Sequence, residues 1–308
     1  MILSILPLLF VFCALFKIYL KVTTGWCKSH TCLVGKTALI TGGNAGIGYE
    51  TALDLAKRGA RVILACRSHS KGDEALRKIV KETGNENIVV KILNMSSFES
   101  VRAFAREINK TESRLDILVN NAGTLAFGGE VTSDNLPVIM QTNHFSSFLL
   151  TQLLLDLLKK SAPSRIVNVS SAGAKRAFDF NVEKITTHGK DYVNSKLCNI
   201  FFTQELARRL EGTGVTAYSL HPGLVKTNIF DSVNGYLKLL VDIVVGLFSK
   251  TPEEGAQTTI YCSVAKGIEN WSGAHFSDCR KVETYKTARD SDLAKKVWEK
   301  SEQIVQLL

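Results

Sequence analysis

With 308 residues, the chain is long enough to bury a sizeable core, as one large domain or as two small ones. Hydrophobic residues make up 45% and charged residues 22% of the sequence, which are ordinary globular values and exclude a disordered or low-complexity protein. The net charge of +9 is spread along the chain without a long basic block, which argues against a nucleic-acid partner and suits a phosphate-bearing cofactor or an anionic membrane.

The first predicted element is an N-terminal hydrophobic anchor at residues 1–22. Residues 2–16 carry no charge, and the apolar character resumes after Lys17, so about 20 residues are available for a ~30 Å hydrocarbon core. The alternative is a cleaved signal peptide, but the run lacks both a basic segment before it and a small-x-small cleavage site. The lysines after the run predict that the rest of the chain faces the cytosol.

The cysteines agree with a reducing compartment. There are seven of them, an odd number, and no two form a C-x-x-C pair. We interpret them as free thiols, neither zinc ligands nor a disulfide framework.

From Lys36 onward, short apolar runs alternate with helical patterns. Strands are predicted at 36–41, 61–66, 88–93, 115–119, 165–170 and 215–220, and helices at 47–58, 71–83, 97–109, 131–160 and 190–211. This alternation predicts an α/β fold with a Rossmann-like doubly wound parallel sheet. Because no repeat or linker divides the pattern, residues 35–308 are predicted to form a single domain.

A glycine-rich turn, T-G-x-x-x-G-x-G at 41–48, follows the first predicted strand and opens the first predicted helix. Gly42 would allow the tight turn, Gly46 the close approach of a pyrophosphate, and Gly48 the close packing of helix on sheet. The alternative is a turn without a ligand. Further cofactor contacts from this turn are predicted at Asn44 and Ile47.

The second predicted strand ends in Ala65-Cys66-Arg67. An NAD site needs a carboxylate near this point to bind the ribose 2′-hydroxyl, whereas a guanidinium matches a 2′-phosphate in charge and geometry. Arg67 by itself could also be a surface arginine that opens a loop. Together with the glycine turn, it favours NADP(H) over NAD.

Polar residues recur where later elements end or are interrupted. Asn120-Asn121-Ala122-Gly123 and Ser170-Ser171 each follow an apolar strand, so they would lie in the ligand crevice or simply form turns. Asn143 lies inside the predicted helix 131–160, where asparagine is mildly unfavourable. Either the helix is irregular there or the amide has a function.

Tyr192 and Lys196 lie four residues apart in a predicted helix, so both side chains project from one face. An ammonium near a phenol lowers the phenol pKa and would let the tyrosine exchange a proton with an alcohol or carbonyl oxygen. The alternative is an ordinary contact on a solvated helix face.

Taken together, these motifs resemble the short-chain dehydrogenase/reductase family, in particular its retinol dehydrogenase-like membrane-anchored branch, from about Gly35 to Asp278. The resemblance implies that Tyr192 is the general acid/base, that Lys196 lowers its pKa and binds the nicotinamide ribose, and that Ser171 polarises the substrate oxygen. It also implies that Asn143 holds a water in a proton relay. Further cofactor contacts are implied for Asn94, Met95, Asn121, Ala122, Gly123, Pro222, Gly223, Val225 and Thr227.

Two stretches depart from the family pattern, and the role of a third is left open by the sequence. Asn94 stands where the family usually has an aspartate, and the interval from Ser171 to Tyr192 is short for the branch. A second apolar run, 236–248, is too short and too charged to span a bilayer. It is predicted to be a core helix or part of a substrate flap, at about 228–250, that touches the membrane.

The sequence therefore predicts an NADP(H)-dependent oxidoreductase that transfers a hydride between the nicotinamide and a hydrophobic alcohol or carbonyl compound. The preferred substrate is a retinoid, as the retinol/retinal pair. The alternatives are a steroid or lipid-aldehyde reductase and, from another class, a catalytically silent nucleotide-binding membrane scaffold. The resemblance also implies a homodimer at the endoplasmic reticulum or at a lipid droplet. Neither a metal nor a nucleic acid is expected.

Overall fold

The computed structural model describes residues 11–125, 129–225 and 249–306, apart from 12, 14 and 20, and within these ranges eight strands pair into one sheet. The strands are β1 (Thr37–Thr41), β2 (Arg61–Cys66), β3 (Ile88–Ile92), β4 (Ile117–Asn120), β5 (Ser164–Val169), β6 (Val215–His221), β7 (His275–Ser277) and β8 (Arg280–Val282). Their order is β3-β2-β1-β4-β5-β6-β7-β8. Neighbouring strands are parallel except for β7 and β8, which are antiparallel.

Helices cover both faces of this sheet. They are α1 (Gly46–Lys57), α2 (His69–Thr83), α3 (Phe98–Thr111), α4 (Val138–Met140), α5 (Ser146–Leu153), α6 (Leu155–Lys160), α7 (Asp191–Arg209), α8 (Pro252–Val264) and α9 (Ser291–Ile304). One buried cluster packs α3, α5, α7 and α9 against the sheet through residues such as Phe104, Phe148 and Trp298. The cluster on the opposite face involves α1, α2 and α8.

The strand order reverses at β1, which pairs with β2 on one side and with β4 on the other. In an open parallel sheet, such a reversal leaves a crevice at the carboxyl ends of the strands. The glycine turn after β1 and the Asn121 segment after β4 therefore meet at this crevice. The α/β Rossmann-like prediction is confirmed, and strands β1–β6 lie within two residues of their predicted bounds.

The predicted helix 131–160 is wrong at its start. Val131 forms an antiparallel bridge with Pro137 around Asn135, whose φ is +58°, and helix begins only at Val138. The reason is local, because Thr132 and Asn135 close a hydrogen-bonded turn that competes with helix. The helix is also interrupted, since Gln141–Phe145 is π-helical.

Helices α8 and α9 and strands β7 and β8 were not predicted. The start of α8 carries a recognisable signal, a capping box between Thr251 and Glu254 with Pro252 in the first turn. The short strands β7 and β8, of three residues each, have no periodic signal of their own. All seven cysteines lie in described positions and are free thiols, as predicted.

Much of the predicted anchor and most of the predicted flap lie outside the described residues. The anchor residues that the structure does describe, 11, 13, 15–19, 21 and 22, are helical. Within the described part of the chain, no helix combines the length and the apolar character needed to cross a bilayer. The run 236–248 and Thr227 are likewise outside the described residues.

Candidate active site

The carboxyl ends of β1, β4, β5 and β6 open into a cavity of about 670 Å³. Its wall combines the glycine turn, the segment after β4, the segment after β5, the start of α7 and the loop after β6. Many of the predicted site residues meet there: Gly42, Asn44, Gly46, Ile47, Arg67, Asn121, Ala122, Gly123, Ser171, Tyr192, Lys196, Pro222, Gly223 and Val225.

The glycine turn has a shape that side chains would obstruct. Gly42 and Gly46 have φ values of +66° and +55°, in the left-handed region that glycine adopts without strain. A Cβ at Gly48 would lie 2.3 Å from the Gly42 carbonyl oxygen, so the helix can approach the turn only because that Cβ is missing. The N-cap of α1 is Ala45, whose side chain cannot cap the helix, and its first backbone N–H groups are available to an anion.

Thr41 and Asn121 hold this turn against the end of β4. The Thr41 hydroxyl oxygen accepts hydrogen bonds from the backbone N–H groups of Asn121 (3.0 Å) and Ala122 (2.9 Å). In return, the Asn121 side-chain amide donates to the Thr41 carbonyl at 2.8 Å. Thr41 was not among the predicted site residues, although it opens the glycine motif.

The charges on the cavity wall are positive. Among the described wall residues, the cationic side chains at neutral pH are Arg67, Arg176 and Lys196, and no carboxylate is present. Arg67 directly follows β2 and is exposed at the wall. A ligand that carries phosphate groups therefore meets complementary charge here.

Ser170 and Ser171 have different surroundings. The Ser170 hydroxyl is buried and donates to the Lys196 main-chain carbonyl at 2.6 Å. The Ser171 hydroxyl oxygen lies at the wall and accepts from the Gly173 backbone N–H at 3.0 Å. Of the two, Ser171 is therefore the one whose hydroxyl hydrogen is directed to groups in the cavity, either the Tyr192 phenol or a ligand.

Tyr192 and Lys196 lie in the first two turns of α7 and share one face, as predicted. The Lys196 ammonium lies 5.8 Å from the centroid of the Tyr192 ring. It donates to the Val169 carbonyl at 3.1 Å, which ties it to the end of β5.

Burial dominates the pKa values of this pair. It raises the pKa of Tyr192, and a hydrogen bond with Ser171 offsets part of that rise. Burial also lowers the pKa of Lys196 to about 8. The predicted fall of the Tyr192 pKa towards neutrality is not found in this structure, because burial of the phenol is the largest influence and the Ser171 hydrogen bond offsets only part of it.

Asn143 lies in the π-helical segment, so the predicted irregularity is confirmed. Its side-chain oxygen accepts from the Thr124 backbone N–H at 2.7 Å. Its side-chain N–H groups donate to the Thr124 carbonyl and the Ser195 hydroxyl, both at 3.1 Å. The amide thus clamps the segment after β4 to α7, and its water-holding role stays a prediction.

His221 ends β6 and lines the cavity, although it was not predicted as a site residue. Its Nδ1 accepts from the Ala172 backbone N–H at 3.0 Å. Burial, assisted by the nearby Lys250 charge, lowers its pKa to about 4, so the ring is neutral with its hydrogen on Nε2. The sequence did offer a signal for His221, because this polar residue directly precedes Pro222 and Gly223, which were predicted as cofactor contacts.

Some predicted residues lie away from the cavity wall. The Asn94 side-chain oxygen accepts from the backbone and hydroxyl of Ser96, and Met95 is buried in the core. Gly48 and Asn143 support the wall from behind. Cofactor contacts by Asn94 and Met95 stay predictions.

Comparison with known proteins gives a family match. Residues 36–236 match the family described as short chain dehydrogenase. Retinol dehydrogenase 11 of Mus musculus is 45% identical over 291 residues, covering 92% of this chain and 91% of that protein. Retinol dehydrogenase 12 of Homo sapiens is 43% identical over 278 residues, covering 89% and 87%.

Solved structures share the architecture. A protein from Mycobacterium paratuberculosis superposes with a TM-score of 0.72 at 30% identity, covering 92% of this chain and 98% of that one. The RhlG/NADP active-site complex from Pseudomonas aeruginosa gives a TM-score of 0.64 at 27% identity, covering 80% and 95%.

Proposed function

This chain belongs to the short-chain dehydrogenase family, and we propose that it is an NADP(H)-dependent oxidoreductase acting on a hydrophobic alcohol or carbonyl compound. The observation that carries the proposal is a single cavity whose wall holds the glycine turn together with Ser171, Tyr192 and Lys196. A phosphate cradle and a proton-transfer group in one cavity are the two parts that a nicotinamide-dependent reaction needs.

The residues present fit a dinucleotide. The left-handed glycines and the space that a Cβ at Gly48 would fill allow a pyrophosphate to approach the backbone. Arg67 supports the phosphorylated form, because its guanidinium faces a cavity whose described wall has no carboxylate for a ribose 2′-hydroxyl. The similar structure from Pseudomonas aeruginosa is an NADP complex, which agrees with this choice.

When bound, the nicotinamide supplies or accepts the hydride. Tyr192 donates a proton to the carbonyl oxygen during reduction, and its raised pKa keeps the phenol protonated for this role at neutral pH. Ser171 donates a hydrogen bond to the same oxygen. Lys196, whose pKa is about 8, retains its charge at neutral pH and stabilises the phenolate that remains.

The substrate that we propose first is a retinoid. The support comes from relatives named retinol dehydrogenase, which share 42–45% identity with this chain over most of its length. A steroid or lipid-aldehyde carbonyl is the alternative within the same reaction. We expect reduction to be the working direction in an NADPH-rich cytosol.

We also propose that residues 1–22 hold the enzyme at a membrane, with the endoplasmic reticulum as the first choice and the lipid-droplet surface as the alternative. Exposed apolar side chains on the helical residues support this proposal, with Leu15 61%, Ile18 59% and Val22 79% exposed. These three residues are spaced by three and four positions and lie on one side of a helix. A homodimer remains part of the proposal.

The test is turnover of retinal, a ketosteroid and a medium-chain aldehyde with NADPH and with NADH. The proposal expects kcat/KM to be highest for retinal with NADPH. If the ketosteroid or the aldehyde were turned over faster than retinal, that compound class would replace the retinoid as the proposed substrate. Absence of turnover with every carbonyl, in protein that still binds NADPH, would favour the silent scaffold.

A further inference from the structure

A chain of buried hydrogen bonds runs behind the candidate active site, from the C-terminal helix to the proton-transfer residues. His144, Asn199 and Ser301 lie on the π-helical segment, α7 and α9 respectively, and are at most 3% exposed. His144 Nδ1 lies 3.1 Å from the Asn199 side-chain oxygen. His144 Nε2 lies 2.9 Å from the Ser301 hydroxyl.

The donors in this chain can be assigned. The Asn199 side-chain N–H groups donate to the Asn143 carbonyl (3.0 Å) and to the Val169 carbonyl (3.3 Å), so its oxygen must accept from His144 Nδ1. Burial lowers the pKa of His144 to about 4, so the ring is neutral and has one donor nitrogen. Nε2 therefore faces the Ser301 hydroxyl as an acceptor. That hydroxyl also lies 2.7 Å from the Val297 carbonyl, so the two acceptors share its single hydrogen, and His144 Nδ1 orients the Asn199 amide.

The two carbonyls that Asn199 holds are next to the reacting groups. The Val169 carbonyl also accepts from the Lys196 ammonium, and the Asn143 carbonyl belongs to the residue that clamps Thr124 to α7. If the amide were removed, both carbonyls would lose a buried donor, and they would shift to recover one. Lys196 and Asn143 would move with them.

We propose that Asn199 is a positioning residue for proton transfer, and that His144 and Ser301 fix its amide so that α9 takes part in supporting the active centre. The inference rests on the proposed function, since it assigns a role within that reaction. Asn199 does not itself line the cavity, and it acts on the reacting groups through the carbonyls of Val169, which is a wall residue, and of Asn143.

The test compares Asn199→Leu with Thr203→Val in the full chain. Thr203 lies one turn further along α7 and is fully buried. Its hydroxyl accepts from Asn168 at 2.9 Å and donates to the Asn199 main-chain carbonyl at 2.7 Å, but it bonds neither the Asn143 nor the Val169 carbonyl. Because small displacements at a reacting centre cost up to ~100-fold in rate, we expect Asn199→Leu to lower kcat roughly 10-fold or more. The KM for NADPH should stay within about twofold, because the phosphate cradle is untouched. Thr203→Val should keep kcat within about twofold.

A second variant and a second measurement keep the inference independent of activity. Ser301→Ala removes the outer hydrogen bond to His144 and a bond to the Val297 carbonyl within α9, and we expect a smaller fall in kcat with the KM for NADPH unchanged. Hydrogen exchange at the Thr124 amide, which donates to Asn143, should quicken in Asn199→Leu and not in Thr203→Val.

The outcomes separate the two proposals. Wild-type protein without turnover counts against the proposed function, whereas Thr124 exchange still decides whether Asn199 positions Asn143. Equal loss of kcat in Asn199→Leu and Thr203→Val would overturn the positioning role. So would unchanged Thr124 exchange in every variant.

Discussion

The two halves of the cavity are built by different means. Around Gly42 and Gly48 the wall is backbone, and its shape depends on the absence of side chains. Around Tyr192 and Lys196 the wall is made of side-chain functional groups whose pKa values burial has shifted. The glycine half should therefore be sensitive to added volume, and the Tyr192 half to lost functional groups.

Removal of the phenol tests the second half most directly. Tyr192→Phe keeps the ring and deletes the proton donor, so kcat should fall by roughly 10²–10⁴-fold. The melting temperature should change little. Tyr49→Phe, in α1 and away from the wall, is the matched control. Activity that survives in Tyr192→Phe would contradict the proposed mechanism.

Addition of one methyl group tests the glycine half. Gly48→Ala places a Cβ 2.3 Å from a backbone oxygen that cannot rotate away. Overpacking of this kind costs about 1–3 kcal/mol. If the turn shifts to relieve the contact, the Kd for NADPH should rise roughly 10- to 100-fold. Equilibrium binding followed by NADPH fluorescence is the measurement.

Gly72→Ala is the control for added volume. Its Cβ would approach the Val90 side chain to 2.5 Å, in α2 and outside the cavity wall. We expect it to lower stability and to leave the Kd for NADPH unchanged. Equal weakening of binding by both substitutions would show that the glycine half is not specially sensitive.

The charge on the glycine half sets cofactor choice. Arg67→Gln should lower kcat/KM for NADPH by roughly tenfold, the value of one charge-assisted hydrogen bond, while kcat/KM for NADH stays constant. Arg176→Gln, which removes the other arginine from the wall, should leave the NADPH-to-NADH ratio unchanged. A parallel loss with both cofactors in Arg67→Gln would remove the case for a 2′-phosphate contact.

The smallest expected effect is a pH dependence in the Tyr192 half. Since the pKa of Lys196 is about 8, its charge is present below that pH and is lost above it. The value of kcat/KM should therefore fall as the pH rises through 8, and at pH 8.5 it should be about a quarter of its low-pH plateau. A profile of kcat/KM that is flat from pH 7 to 9.5 would show that the lysine charge is not required.

Prediction from sequence succeeded where a local rule was enough. Left-handed glycines at Gly42 and Gly46 follow from the turn between a strand and a helix, and the carboxyl ends of parallel strands bring Arg67, Asn121 and Ser171 to one edge. It failed at residues 131–137, where a turn around Asn135 replaces helix, and at β7 and β8, which exist only through their pairing with β6.

The sequence by itself determined the sheet, the glycine turn and the spacing of Tyr192 and Lys196, because steric rules and periodicity act over a few residues. Only the tertiary structure decided which groups are buried. It placed His144 between Ser301 of α9 and Asn199 of α7, and it raised the pKa of Tyr192 where spacing alone predicted a fall. Burial depends on contacts between residues far apart in the chain, so the charge state of the site is a property of the whole fold.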